Sequence, residues 1–209
     1  MRTLRNIIFF SGGLLLFIGG CILYGIILNI RENTLAEEMA FLRLDTLKNV
    51  TLQVSLSKYK LFLYSDSILV KRYRISAGRD NYAKREQGDQ GTPVGEYRIC
   101  FIDSSNKFHR YFRINYPNIK DIEEAYLERS IASEEYDRLR EELQRGDCPT
   151  KSPVLGGDIG IHGIGKLNSI FKNLPFIFNW TDGSIALSDE NIDELLSVVK
   201  KGTKIVIEK

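Results

Sequence analysis

A chain of 209 residues sets a prior of one folded domain with appendages, and 43% hydrophobic against 27% charged residues is enough for a packed core, which argues against a disordered or low-complexity class. The net charge is +2, and with Arg2 and Arg5 set aside the two signs balance, whereas a nucleic-acid binder would carry a basic excess. Three cysteines cannot build a disulfide-rich scaffold.

The first element is apolar. "IIFFSGGLLLFIGGCILYGIILNI", Ile7 to Ile30, contains no Asp, Glu, Lys or Arg. As a helix it is roughly 36 Å long, enough to cross a hydrocarbon core of about 30 Å. A secretory signal has a shorter apolar region of about 7–15 residues followed by a small-residue cleavage site. Here the run continues past Gly19 and Gly20, which favours an uncleaved anchor over a cleaved signal. "IGGC", ending at Cys21, resembles a lipoprotein cleavage box, but the apolar "ILYGIILNI" after it is unlike a polar tether. Arg2 and Arg5 hold the N-terminus in the cytoplasm. Residues 1–30 therefore read as an anchor or signal, 31–49 as a short helical juxtamembrane stalk, and 50–209 as an exported domain. The expected place is the cytoplasmic membrane, single pass, with the C-terminal domain extracytoplasmic.

From Val50 the pattern is that of strands. "VTLQVSL" puts Val50, Leu52, Val54 and Leu56 on one face. "KLFLYS" and "ILVKRYRIS" follow across turns at Ser57-Lys58 and Ser65-Asp66, as hairpin partners do. "GEYRICFID" comes after the turn "GTPVG", and "GDIGIHG" and "TKIVIE" complete the strand set. Two helices are expected. One is "SEEYDRLREELQRG", with Ser133 as N-cap and Gly146 past its end. The other is "SDENIDELLSVVKKG", capped by Ser188, with Ile192, Leu195, Leu196 and Val199 on its apolar face. Cys100 and Cys148 fit one disulfide in an oxidising compartment and two unpaired thiols equally well.

Two histidines are present. His109 lies among aromatic and basic residues in "KFHRYF". His162 lies in "GDIGIHGIG", where Gly160, Gly163 and Gly165 let backbone approach closely and leave little bulk around the imidazole. A base at a strand end and the Gly183-Ser184 pair in "NWTDGSIALSDENIDEL" are the ingredients of nucleophilic catalysis.

The ordered set "VSLSKYKLFLYSDSILVKRYRISAGR", "KREQGDQGTPVGEYRI", "FRINYPN", "GGDIGIHG" and "NWTDGSIALSDENIDELLSVVKKGTKIVI" resembles the L,D-transpeptidase catalytic domain family (YkuD-like), in the branch with a "DWTDGC" style loop. The resemblance covers about Val50 to Ile207. It implies a mainly β, β-rich α+β fold, a sandwich of sheets with a few helices. It implies acyl transfer on peptidoglycan stem peptides, to another amine or to water. By the same resemblance His162 is the base, the Gly163 carbonyl orients its ring, and Gly183 and Ser184 supply oxyanion amides. Asp182, Thr181 and Trp180 complete the substrate-binding turn. Asp182 stands where many members carry a histidine. Ser184 stands where the family carries its nucleophilic cysteine.

A serine hydroxyl is far less acidic than a thiol, so it must lose its proton during attack. Four readings of Ser184 follow. It is a working serine nucleophile, a silent position in a peptidoglycan-binding module, a deliberate cysteine replacement, or a bystander to a displaced nucleophile, for which Cys148 is the candidate. Carbapenems, which acylate the cysteine members, are expected to react slowly or not at all. No metal-ligating cluster, phosphate loop or dinucleotide fingerprint is visible, so no cofactor and no metal is expected. The expected partners are stem peptides and the membrane, with no nucleic acid and no obligate protein partner.

Overall fold

A computed structural model of the chain describes residues 2–30, 32–174 and 178–209. Helix α1 spans Arg2–Ile30. Its stretch Arg2–Ile27 has a mean hydropathy of 2.2, is largely exposed, and fits a membrane span and an export signal alike by length and composition.

The segment expected as a stalk is instead folded onto the domain. Helix α2, Leu35–Phe41, opens with a capping box in which Thr34 and Glu37 satisfy each other's backbone amides. Leu35 is buried, and its N–H donates to the Glu194 carboxylate at 3.0 Å. Met39, Leu42, Leu44 and Leu47 pack on the main core. Leu35, Met39 and Leu42 fall on one helical stripe, and an apolar stripe needs a surface to cover.

The domain then runs through β1 (Val50–Ser55), β2 (Lys60–Ser65), β3 (Ile68–Arg74), β4 (Asp80–Ala83), β5 (Gly91–Thr92), β6 (Gly95–Asn106) and β7 (His109–Ile114). Helices α3 (Ile119–Leu127) and α4 (Ser133–Gln144) follow, then β8 (Gly160–Gly163), the short α5 (Asn168–Phe171), β9 (Ile185–Leu187), α6 (Asp189–Leu196) and β10 (Lys204–Glu208). Eight strands form one mixed sheet in the order β3-β2-β1-β10-β6-β7-β8-β9, and β4 and β5 form a separate parallel pair. The pairs β1–β10 and β8–β9 are parallel. Past the end of β3, Ser76 exchanges both backbone hydrogen bonds with Ala186 in β9, at 2.8 and 2.9 Å. The first and last strands are thus joined, and the β-rich layering takes the form of a single sheet curled into a near-barrel. Inside it lie the alternating residues that the sequence marks, Leu52, Val54, Leu61, Leu63, Ile205 and Ile207, with Ile192 and Leu195 of α6 packed among them.

Two helix details differ from expectation. The N-cap of α4 is Ala132, with no side-chain cap, and Ser133 is already helical. Helix α6 is capped by the Ser188 hydroxyl as expected but ends at Leu196; Val199 reaches the core from the turn beyond. Helices α3 and α4 pack as a hairpin around Ile122, Ala125, Ile131 and Leu139. A disulfide between Cys100 in β6 and Cys148 ties this hairpin back to the sheet. Cys148 is therefore no free thiol, which removes it as a displaced nucleophile.

Candidate active site

Strand β8 places His162 at the centre of the site. Antiparallel pairing sets Tyr111 of β7 opposite it, and parallel pairing sets Ala186 of β9 on its other side. The strands come this close because Gly160 has no side chain: a Cβ there would lie 2.5 Å from the Phe112 carbonyl oxygen. His162 is only 2% exposed. Its Nδ1 meets the Gly163 carbonyl oxygen at 2.7 Å. A carbonyl only accepts, so Nδ1 carries the hydrogen and Nε2 holds the free lone pair. Burial pushes the imidazole down to about 4; the nearby Lys107 charge adds to the fall, and the Gly163 hydrogen bond opposes it. The ring is neutral at pH 7 and can take a proton at Nε2.

This burial has a stability consequence. Between the ordinary value of 6.5 and about 4, His162 binds a proton in the unfolded chain but not in the folded one. Stability should therefore fall as pH drops through that window, by about 3 kcal/mol from this group. Asp121, raised to about 6 by burial, acts with the opposite sign, since its folded form takes up the proton first. Denaturant melts of wild type and His162→Gln between pH 7 and 4 separate the two: the variant should lose less stability on acidification. Equal losses would show that the imidazole is not held neutral.

Ser184 follows Gly183 on the turn into β9. Its Oγ accepts from the Gly160 amide at 3.2 Å. The Tyr111 phenol is pushed up to about 12 by burial, against the opposing pull of the neighbouring Ser184 hydroxyl. That phenol donates to the Asp158 carbonyl. The resting serine is thus held by Gly160, and no hydrogen bond joins it to His162 among the described residues.

The "WTDG" turn is locked from within. Thr181 donates its hydroxyl to the Ser184 carbonyl and accepts from the Gly183 amide at 3.3 Å. The Gly183 amide, expected in an oxyanion hole, is engaged by this threonine. Gly183 has a φ of +114°, and a Cβ there would lie 2.5 Å from the Gly91 carbonyl oxygen, so only glycine fits. Asp182 points its carboxylate to Arg79. Trp180 stands edge-on to His162, ring centres 5.9 Å apart.

His162, Ser184, Thr181, Asp182 and Trp180 all line one groove of about 870 Å³. Trp180 also borders a smaller cavity of about 270 Å³. Sequence reading missed Tyr111, Phe108 and Lys107 on the same wall. The signal lay in "KFHRYFRI", whose register against "GIHG" sets Tyr111 beside His162. In the stretch "NLPFIFNW", which leads into the turn, residues 175–177 lie outside the described residues. Among the described residues no group of three or more His, Cys, Asp or Glu comes together to hold a metal ion.

Asp158 acts through its backbone. It sits at φ +56°, its carbonyl takes the Tyr111 hydroxyl, and its side chain pairs with Arg113 at 3.1 Å while largely exposed. Asn tolerates this conformation, so Asp158→Asn should keep any turnover within about an order of magnitude. A loss as deep as that of His162→Ala would assign the carboxylate a part in the chemistry.

The curled sheet, with its His-Gly strand bordering a peptide-sized groove, defines a domain of the L,D-transpeptidase type. Residues 49–207 match the YkuD family, L,D-transpeptidase catalytic domain, and the chain belongs to that family. Similar solved structures include a mutant of the helical cell shape determining protein Pgp2 from Campylobacter jejuni, with 20% identity and a TM-score of 0.51, covering 79% of this chain and 48% of that one. The L,D-transpeptidase from Xylanimonas cellulosilytica has 13% identity and a TM-score of 0.44, covering 78% and 62%. Bd1075 from Bdellovibrio bacteriovorus has 18% identity and a TM-score of 0.48, covering 77% and 48%. This chain thus spans 48–62% of the length of those structures, and the likeness is one of fold. A search of curated proteins finds no match.

Proposed function

We propose that the domain performs acyl transfer on peptidoglycan stem peptides, with His162 as base and Ser184 as the nucleophile. The observation that carries this reading is the fixed tautomer of His162: Gly163 holds Nδ1–H, so the neutral ring offers Nε2 in the groove that Ser184 also lines. In the forward step Ser184 Oγ attacks a peptide carbonyl and its proton passes to Nε2. The oxyanion turns to the Ser184 amide. His162 then returns the proton to the departing amine, leaving an acyl-serine that another amine or water resolves. The imidazolium formed on the way is supported by a carbonyl at Nδ1, where serine enzymes with a full triad place a carboxylate. A slow reaction is the expected consequence.

Helix α1 is the tether in this reading, with Arg2 and Arg5 on the cytoplasmic side and the domain exported. N-terminal sequencing of the mature protein should begin near Met1; a lipid-bearing start at Cys21 would replace the tether by a lipoprotein anchor. The test of function is mass spectrometry of the purified protein after exposure to muropeptides. An acyl adduct at Ser184, or cleaved and exchanged stems that vanish in His162→Ala, is expected. Recovery of unmodified protein and unmodified muropeptides would overturn the reading.

A further inference from the structure

Helix α1 does not leave the domain freely. Gly25, near its end, is buried, and Cys21 and Ile22 on the same face are half-covered, whereas residues 2–20 are exposed throughout. What Gly25 meets is the end of α5. A Cβ on Gly25 would overlap the Asn173 carbonyl oxygen, so backbone meets backbone there, as glycine allows. Asn173 is buried, although it closes a helix of four residues at the surface.

This contact fixes a depth. Gly25 lies five residues before Ile30, the end of the apolar run, which is about 8 Å of helix. The inference rests on the reading of α1 as a tether, in which that run crosses a hydrocarbon core of about 30 Å and exceeds it by about 6 Å. Gly25, and Asn173 with it, then lies at the outer boundary of the core. The residues around Asn173 suit that boundary. Leu167, ending the 3₁₀ turn Gly165–Leu167, and Ile170 of α5 stand three residues apart and are each 49% exposed. Lys166 is exposed beside them. Single exposed apolar residues are common on any surface. These two sit on the helix that the span itself touches, next to a lysine whose stem can lie along apolar surface while its ammonium reaches headgroups.

We propose that α5 and the turn before it rest in the outer interface of the bilayer that α1 crosses, with Leu167 and Ile170 at the boundary of acyl chains and headgroups and Lys166 among lipid phosphates. The domain is then attached to the membrane at two points, which sets its orientation. Phe171 of the same helix packs on Trp180, ring centres 6.0 Å apart, and Trp180 lines the groove. The groove is held close to the membrane, with Phe171 and Trp180 between, and does not swing at the end of a stalk.

The test is spin labelling of the full chain in vesicles of phosphatidylethanolamine and phosphatidylglycerol. Cysteines are introduced singly into a Cys21→Ser background, since the paired Cys100 and Cys148 take no label. The sites are Phe10→Cys in α1, Ile170→Cys in α5 and Arg140→Cys on the exposed side of α4. Collisions with oxygen, which concentrates in lipid, are compared with collisions with a water-soluble nickel complex. Labels at residues 10 and 170 should favour oxygen, and the label at residue 140 should favour nickel. Adding Leu167→Glu should shift the label at residue 170 towards nickel, because a carboxylate is costly at that depth. With residue 10 in lipid, a label at residue 170 that favours nickel overturns the inference and leaves the tether standing. An oxygen preference that Leu167→Glu leaves unmoved overturns it too. So does a label at residue 170 shielded from both collision partners, which would put a second copy or another protein on α5. A label at residue 10 that favours nickel removes the tether, and this inference falls with it.

Discussion

Replacing Ser184 by cysteine should raise turnover of stem peptides by about a hundred-fold or more. A thiol with an ordinary pKa near 8.5 gives up its proton far more readily than a hydroxyl. It also asks less of a buried imidazole that sits at about 4 and is backed only by a backbone carbonyl. The rest of the pocket is in place for it: Gly160 and Gly183 keep the backbone close, and the Thr181 turn holds the loop. Carbapenem labelling followed by mass spectrometry gives a single-turnover readout, with the cysteine variant modified stoichiometrically and the wild type slowly or not at all. If Ser184→Cys brings no gain and Ser184→Ala abolishes turnover, the site has been shaped for oxygen. If neither change matters in an active protein, residue 184 is not the nucleophile.

Loss of the Cys100–Cys148 disulfide should cost about 4 kcal/mol in the chain-entropy account, because the bond closes a loop of 48 residues. The effect should also reach the groove. Cys148 precedes Pro149, whose carbonyl accepts from the Arg113 guanidinium at 2.6 Å; Arg113 pairs with Asp158, and the Asp158 carbonyl holds the phenol beside Ser184. The Cys100→Ser, Cys148→Ser double variant should unfold at markedly lower urea and should lose turnover in the Ser184→Cys background even where it is still folded. An unchanged urea midpoint would show that the hairpin of α3 and α4 holds itself.

What could be read without coordinates was local. β2 occupies the stretch "KLFLYS" because alternation and flanking turns both mark it, and Ser188 caps α6 because the cap chemistry is written within four residues. What was missed depends on distant partners. β9 is three buried residues with no alternation, and it exists only because β8 and Ser76 flank it. α3 announces itself by its Asn118 capping box but buries only Ile122 and Ala125, too few for a clear stripe. α2 carries a stripe whose surface lies across the chain on α6 and β3. At the site, His162 and Ser184 could be named from motif order. Tyr111 and Lys107 could not, since their places follow from strand register and from the seating of a turn on two glycines.

The closure of the sheet beside Ser184 has a consequence for how a peptide is held. Many peptide-binding domains recruit their ligand as an additional strand, whose main chain supplies most of the grip. Here that berth is occupied by the protein itself. Ala186 uses both backbone groups on Ser76, Thr181 donates to the Ala77 carbonyl, and Arg79 donates back to Thr181. Zipper-like pairing along β9 is closed to an incoming stem, as it is to a neighbouring copy of the chain. Along β9, grip is left to side chains on the two walls, ammonium, ring faces and hydroxyls. Selectivity resting on so few discrete groups can be redirected by exchanging one of them, without rebuilding the strands beneath.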